Sequence, residues 1–375
     1  MTFIFKPLLF VTCAAIIDDL RRKTTQLLRS LAHAKVRTLT GITLDNMPAP
    51  LKRSSKKSRA GSLTRKNTKR LRTSIIGAGR LGTTLARTLD RAGHRIDVVV
   101  TPRMATARRA VKVIDSRSLA ATSKQLHDKD SEAYRLLSSG ELIIISTPDA
   151  AIESVANELA AVFGKDSAAS TGKARTVLHT SGAISSQVLN PLRLLGFATG
   201  SFHPLVSVAD QKADPKIFRD IHFCVEGDVR AIRVARMLVS QVGGRSFTIK
   251  PKSKPLYHAA AVMTAGHVVA LFDLAVLMLR ECGLSRREAQ RVLLPLLRST
   301  TENLEKNGPA RALTGPYARG DFETARKHLI ALRESKVDGV NEIYKILARH
   351  SLELGKTLKR NPKFEQLARL LSTRS

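Results

Sequence analysis

The feature that most narrows what this chain can fold into is the run Gly77-Ala78-Gly79-Arg80-Leu81-Gly82. It follows the apolar pair Ile75-Ile76 directly and leads directly into residues 83–92, whose apolar positions have helical spacing. Three glycines at this spacing are common by chance, but between a buried strand and a helix they make a turn with a mechanism. Gly77 permits the tight turn, Gly79 lets an anion approach the backbone with no Cβ in the way, and Gly82 lets the helix lie close to the strand. The first N–H groups of the helix and its positive dipole end then favour phosphate oxygens without any charged side chain. The expectation is an α/β fold that binds a dinucleotide through Gly77, Ala78, Gly79, Arg80, Leu81 and Gly82.

A second apolar run, residues 96–101, reads as the next strand, and its tip selects the nucleotide. Proteins that take NAD place an Asp or Glu there to bond the ribose 2′-hydroxyl. Here the strand ends Val100-Thr101-Pro102-Arg103, with Arg108 and Arg109 close behind. A carboxylate would repel a 2′-phosphate, whereas a guanidinium grips it in a fork of N–H groups. The expected cofactor is therefore NADP(H), with Thr101 and Arg103 at its adenosine end.

Further strand-like runs fall at residues 142–147, 176–180, 197–202, 221–226 and 246–249, with a fainter one at 111–114. β-branched runs alternating with helix-length stretches predict a doubly wound parallel Rossmann sheet. After residue 250 the strands stop. Residues 255–282, 285–306, 321–332 and 336–359 show helical spacing, broken at Gly283-Leu284-Ser285 and Gly308-Pro309, with Ser285 placed as an N-cap. The fold class is thus α/β, a doubly wound parallel Rossmann sheet followed by an all-α C-terminal domain. Residues 1–71 read as a disordered basic extension, 72–250 as the dinucleotide-binding domain, and 251–375 as a helical substrate and dimerisation domain.

Lys and Arg number 63 against 31 Asp and Glu, a net charge of +32 that attracts anionic cofactors and substrates. Residues 51–72 hold ten of these cations with no acid and no aromatic, the pattern of a solvated arm. Without aromatics for base stacking or a recognition helix, the arm gives no ground for expecting nucleic acid. Three distant cysteines, Cys13, Cys224 and Cys282, suggest neither a disulfide framework nor a zinc site, so no metal and a reducing cytoplasm are expected. Apolar residues 3–17 resemble a signal-peptide core, but Lys6 interrupts them and Asp18 and Asp19 follow, so they are assigned to the extension. Residues 259–279 approach the length of a membrane span. Asp273 within them makes insertion costly, so the expectation is a helix buried between helices or in a subunit interface.

Candidate chemistry gathers at strand ends, where open α/β sheets place their ligands. Thr147 and Pro148 would line the nicotinamide side of the cofactor, with Asp149 capping the next helix. Thr180, Ser181 and Gly182, opening another helix, offer hydroxyls and N–H groups to a substrate carboxylate or phosphate. His203, before Pro204, is a natural proton donor or acceptor because its ordinary pKa lies near neutrality. Lys254, Tyr257 and His258 open the long helix at the domain junction, and each could deliver a proton or hold substrate; spacing does not choose among them.

The ordered motifs Gly77 to Gly82, Ser146 to Asp149, His179 to Ser185, Gly200 to Leu205, Lys254 to Val262, Leu293 to Leu304 and Leu313 to Asp321 resemble a bacterial family. That family joins a Rossmann-like domain to a C-terminal domain of unknown function, and the resemblance spans roughly residues 72 to 355. Its layout is similar to those of pyrroline-5-carboxylate reductase, ketopantoate reductase, prephenate dehydrogenase and the 6-phosphogluconate dehydrogenase superfamily. The resemblance implies a 6-phosphogluconate dehydrogenase C-terminal-like helical domain that builds a homodimer. His203-Pro204 resembles the His-Pro of prephenate dehydrogenases, which implies a place for His203 at the substrate. Gly266 stands where that family tends to carry Asn, a departure that bears on the substrate.

These readings converge on an NADP-dependent dehydrogenase or reductase, of EC 1.1 or 1.5 type, acting on a small anionic carbonyl, imine or alcohol. His203 is the first choice for acid–base work, with Lys254 and His258 next and Thr180, Ser181, Gly182 and Tyr257 holding substrate. The competing reading is a non-enzymatic NADP(H) sensor or scaffold whose basic arm contacts a polyanion.

Overall fold

The computed structural model describes residues 69–114, 117–164 and 175–372. The expected basic extension, apart from residues 69–71, and the apolar run near the N-terminus lie outside the described residues.

The chain enters through β1 (Arg72–Ile76), α1 (Arg80–Arg91), β2 (Arg95–Val100), α2 (Met104–Ile114) and the short edge strand β3 (Leu119–Ala121). It continues with α3 (Glu132–Ser139), β4 (Leu142–Ile145), α4 (Asp149–Phe163), β5 (Thr176–His179), α5 (Asn190–Leu194) and β6 (Ala198–Pro204). These strands lie in the order β3-β2-β1-β4-β5-β6, every pair parallel. The winding reverses between β1 and β4, the switch point at which such sheets take ligands.

The strands are apolar almost throughout because both faces are covered. On one face Ile75, Val99, Ile144, Leu178 and Phe202 pack against Leu85 and Leu89 of α1. On the other, Ile76, Val98, Ile143, Ile145 and Val177 pack against Leu137 of α3 and Ile152 and Leu159 of α4. Asp97 is a polar exception on β2, held at 2.8 Å by Arg72 Nε and at 2.6 Å by Arg95 Nε.

Two expectations are corrected here. The faint run at 111–114 is the end of α2: Ala107, Ala110 and Ile114 recur at helical spacing and are buried. The sheet also does not stay parallel. β7 (His222–Gly227) pairs antiparallel with β6, and after α6 (Val229–Gln241) the strand β8 (Arg245–Phe247) pairs parallel with β7. The connection from β6 to β7 holds only a 3-10 turn, Pro215–Phe218, where a parallel crossover would need a helix across the face. The reversal sets Cys224 beside His203 in register.

The second half is α7 (Lys254–Thr264), α8 (Gly266–Glu281), α9 (Arg286–Ala312), α10 (Pro316–Arg319), α11 (Phe322–Glu334), α12 (Val340–Leu358) and α13 (Lys363–Ser372). Ser285 caps α9 as expected, in a capping box with Glu288, and Gly308, at φ 71°, breaks it. Tyr317, Ala325, Leu329, Leu352, Phe364 and Leu367 form a separate core at the far end.

The expected single helix over 255–282 is two, divided at Ala265. The stretch Pro251–Glu281 is long and apolar enough to cross a membrane by length and composition, and only 6% of its most apolar window is buried. Burial between helices of its own chain is therefore not what the structure shows. Val276 is buried in α8, while Met263 and Val269 are exposed at 65% and 69%. Asp273 is answered by Arg286 at 2.5 Å.

Candidate functional site

The glycine turn behaves as its spacing predicts. Gly77 sits at φ +93°, and a Cβ there would stand 2.7 Å from the backbone of Ser146. A Cβ on Gly82 would strike the carbonyl oxygen of Gly77, so α1 lies against the turn only because that side chain is missing. At Gly79 no atom of the described residues lies within 4 Å of where a Cβ would be, and Gly79 is the N-cap of α1. The surface there is open, bare backbone at a helix N-terminus, and it fits a pyrophosphate. Ala78 is buried, and its carbonyl accepts from Thr83 Oγ1 and Gln211 Nε2, which holds the turn from behind.

From Gly79 a cavity of about 460 Å³ runs across the sheet edge past Arg80, Leu81, Thr147 and Pro148 to Gly182, His203 and His258. It joins the glycine turn to His203 and His258, two of the three residues expected for acid–base work, in one continuous space. Asp149 is the first residue of α4, and Pro148 holds the N-cap position assigned to Asp149 from sequence. At the other end, Thr101 is buried and spends its hydroxyl on the carbonyl of Arg103 at 2.8 Å. Thr101 therefore shapes the turn at the tip of β2 while Arg103 stands exposed beyond it.

After β5 the chain makes a bend where a helix was expected, and the next element is the 3-10 turn Ser186–Leu189. Ser181 Oγ accepts from the N–H groups of Ala183 and Ile184, and Thr180 Oγ1 donates to Ser146 Oγ. Both hydroxyls are thus engaged in building the loop. Gly182 is the open member: a Cβ on it would stand 2.9 Å from His203 Nε2 and would strike His258 Nδ1. The missing side chain makes room for both imidazoles, which line the cavity.

His203 Nδ1 is 2.7 Å from the hydroxyl of Tyr257. Burial first, then the electrostatic influence of Lys254 and of the neighbouring His258 ring, push its pKa down to about 3, so the ring is neutral at pH 7. Burial also lifts the Tyr257 phenol well above its ordinary value, with Cys224 adding to the shift, so the phenol keeps its proton. In the tautomer whose Nδ1 accepts from the tyrosine O–H, the imidazole proton sits on Nε2, the nitrogen nearest Gly182.

Lys254, expected as a proton donor, is fully buried and lines neither this cavity nor its neighbour. Its Nζ donates to the carbonyl of Ser181 at 2.7 Å and to Ser201 Oγ at 2.5 Å, tying the start of α7 to two strand ends. Desolvation lowers its pKa, against Cys224, Glu226 and Asp149, which favour the charged form. Lys254 acts on the site through Ser181. Sequence reading missed three supports: Ser201, Cys224, and Glu226, whose buried carboxylate accepts from Ser186 N at 2.7 Å and Ser186 Oγ at 2.8 Å. Their alternation within β6 and β7 looks like ordinary strand, and only pairing across the sheet, parallel with β5 for Ser201 and antiparallel with β6 for Cys224 and Glu226, brings them beneath the loop.

Comparison with known proteins agrees with this architecture. A Rossmann-like domain model matches residues 57–204, and a domain of unknown function, DUF2520, matches residues 221–351. The chain is thus similar to a Rossmann-like domain followed by a DUF2520 domain, the combination its motifs resemble. No curated protein matches. Among solved structures it is similar to protein TM1727 from Thermotoga maritima, at 23% identity over 77% of this chain and 100% of that one, TM-score 0.58. BF3122 from Bacteroides fragilis, suggested to be an NADP oxidoreductase, is 23% identical over 75% of this chain and 97% of that one, TM-score 0.58. A reductive aminase from Aspergillus terreus, solved with NADPH and ethyl levulinate, is 17% identical over 80% and 99%, TM-score 0.51. Likeness at these identities establishes a shared fold.

Proposed function

We propose that the protein is an NADP(H)-dependent oxidoreductase that moves hydride between the nicotinamide and a small carbonyl, imine or alcohol. One observation carries this reading: a single cavity connects the bare backbone at Gly79 to the neutral imidazole of His203. NADPH, when bound, supplies the hydride, and a proton must balance it on oxygen or nitrogen. His203 Nε2–H hydrogen-bonds the substrate heteroatom, the Tyr257 hydroxyl on Nδ1 holds the ring in that tautomer, and the proton that completes the reduction enters from solvent through the cavity. His258, on the same rim, orients the substrate, and Lys254 keeps the Ser181–Gly182 loop in place. Arg80, at the mouth of the cavity, is the cation available to an anionic substituent on the substrate.

Arg103, with Arg108 and Arg109 on α2, supports NADP over NAD, since exposed guanidinium groups beyond β2 suit a 2′-phosphate. The exposed apolar residues of α7 to α9, among them Met263, Val269 and Leu296, support a homodimer through the helical half.

Calorimetry with NADPH and NADH, followed by NADPH oxidation at 340 nm against keto acids, ketones, aldehydes and imines, tests the reading. NADPH should bind more tightly, and His203→Ala should lower turnover by about 100-fold or more while sparing NADPH affinity. Absence of heat with either nucleotide, on folded protein, would remove the proposal.

A further inference from the structure

We infer that the substrate of this site carries an apolar body, seated in a second cavity that opens from His203 between β6, β8 and α7. The inference rests on the proposed role of His203 at the reacting atom and adds what the rest of the substrate must be.

The second cavity, about 1010 Å³, shares Arg80, His203, Pro204, Val206, Val208 and His258 with the nucleotide cavity, so a ligand can span both. Its own walls are of another character. Leu205, Phe247, Ala261, Val262, Ala265 and Gly266 line it, and Arg80, on the shared rim, is the one permanently charged side chain among the described residues that line it. Lys254 cannot reach in, because its ammonium is buried against Ser181 and Ser201. A site of this volume, mostly apolar with a few convergent polar groups at one end, suits a molecule with one reactive polar end and a hydrocarbon remainder. The polar end is fixed by His203, Tyr257 and His258, which places the carbonyl or imine there and the chain or ring along α7.

Gly266 sets the far limit. It opens α8, shows no positive φ, and a Cβ on it would meet only Val262 Cγ1 at 3.8 Å. A larger side chain there has room to exist and would take its volume from the cavity. The other occupant with suitable chemistry is a second copy of the chain laid over α7 and α8, and a small-molecule titration distinguishes the two.

The test titrates 2-butanone, 2-hexanone and 2-octanone into the full chain, calorimetrically, with saturating NADP+ and again without nucleotide. Affinity is expected to rise about tenfold for each two-carbon step, the increment of burying methylenes. Gly266→Leu, and independently Ala261→Phe, should flatten that gradient with an unchanged thermal melt. Equal affinity for all three ketones, or a gradient that both variants leave intact, overturns the inference. NADPH oxidation with the same ketones keeps the two ideas apart. A binding gradient without turnover refutes the hydride-transfer reading and leaves the cavity assignment standing, and turnover without a gradient does the reverse.

Discussion

At the scale of residues, the site depends on one absent side chain as much as on those present. Gly182→Ala would put a methyl group against His203 Nε2 and His258 Nδ1. Displacing both imidazoles by even part of an ångström should lower kcat/KM about 100-fold with NADPH affinity retained, as a rate assay beside calorimetry would show. The buried histidines also set the acid limit of the fold. His179, fully buried, has its pKa pushed down to about 3, by burial first and then by the charge of Lys254. In the unfolded chain the same ring titrates near the ordinary ~6.5, so below that pH the unfolded state binds a proton that the native state refuses. Its stabilising contribution is complete above about pH 6.5 and is lost as pH falls toward 3. Urea unfolding should show about 1–2 kcal/mol lost between pH 6.5 and 5 for this histidine alone, and equal stability at the two values would contradict the assignment.

Elements show how far a sequence speaks and where it stops. The turn from β1 to α1 was legible because its glycines answer to local geometry, and they answer differently. Gly77→Ala forces a side chain into φ +93° and against Ser146, and should cost about 1–3 kcal/mol by chemical denaturation. Gly79→Val meets open space, so the melt should stay put while NADPH binding disappears. His203 and Gly182 were legible as strand-end residues. Lys254 was found as a residue and misjudged as a proton donor, because its burial is decided by Ser181 and Ser201, far off in the chain. Cys224 and Glu226 gave no signal, since their use follows from the reversed pairing of β6 with β7, which apolar alternation does not encode. The residues at 111–114 were β-branched enough to suggest a strand, but Ala107 and Ala110 extend the helical face and tertiary packing prevails.

For the whole molecule, α7 to α9 present exposed apolar side chains. Met263, Val269 and Leu296 are among them, and apolar side chains exposed along successive helices are what a subunit interface would cover. With the helical half as a dimer interface, sedimentation should give twice the mass of the chain, and Val269→Glu should return a single chain's mass by burying an unpaired charge. Liposome flotation of the unaltered protein would point to a bilayer as the cover for Pro251–Glu281. The hydrogen bond between His203 and Tyr257 joins these larger pieces at one atom pair, because one ring belongs to the last strand of the parallel run and the other to the first long helix after the sheet. Neither half owns a complete acid–base unit. Competence is thus a property of their alignment, and a slip of one against the other would silence the chemistry while the nucleotide cradle stayed whole.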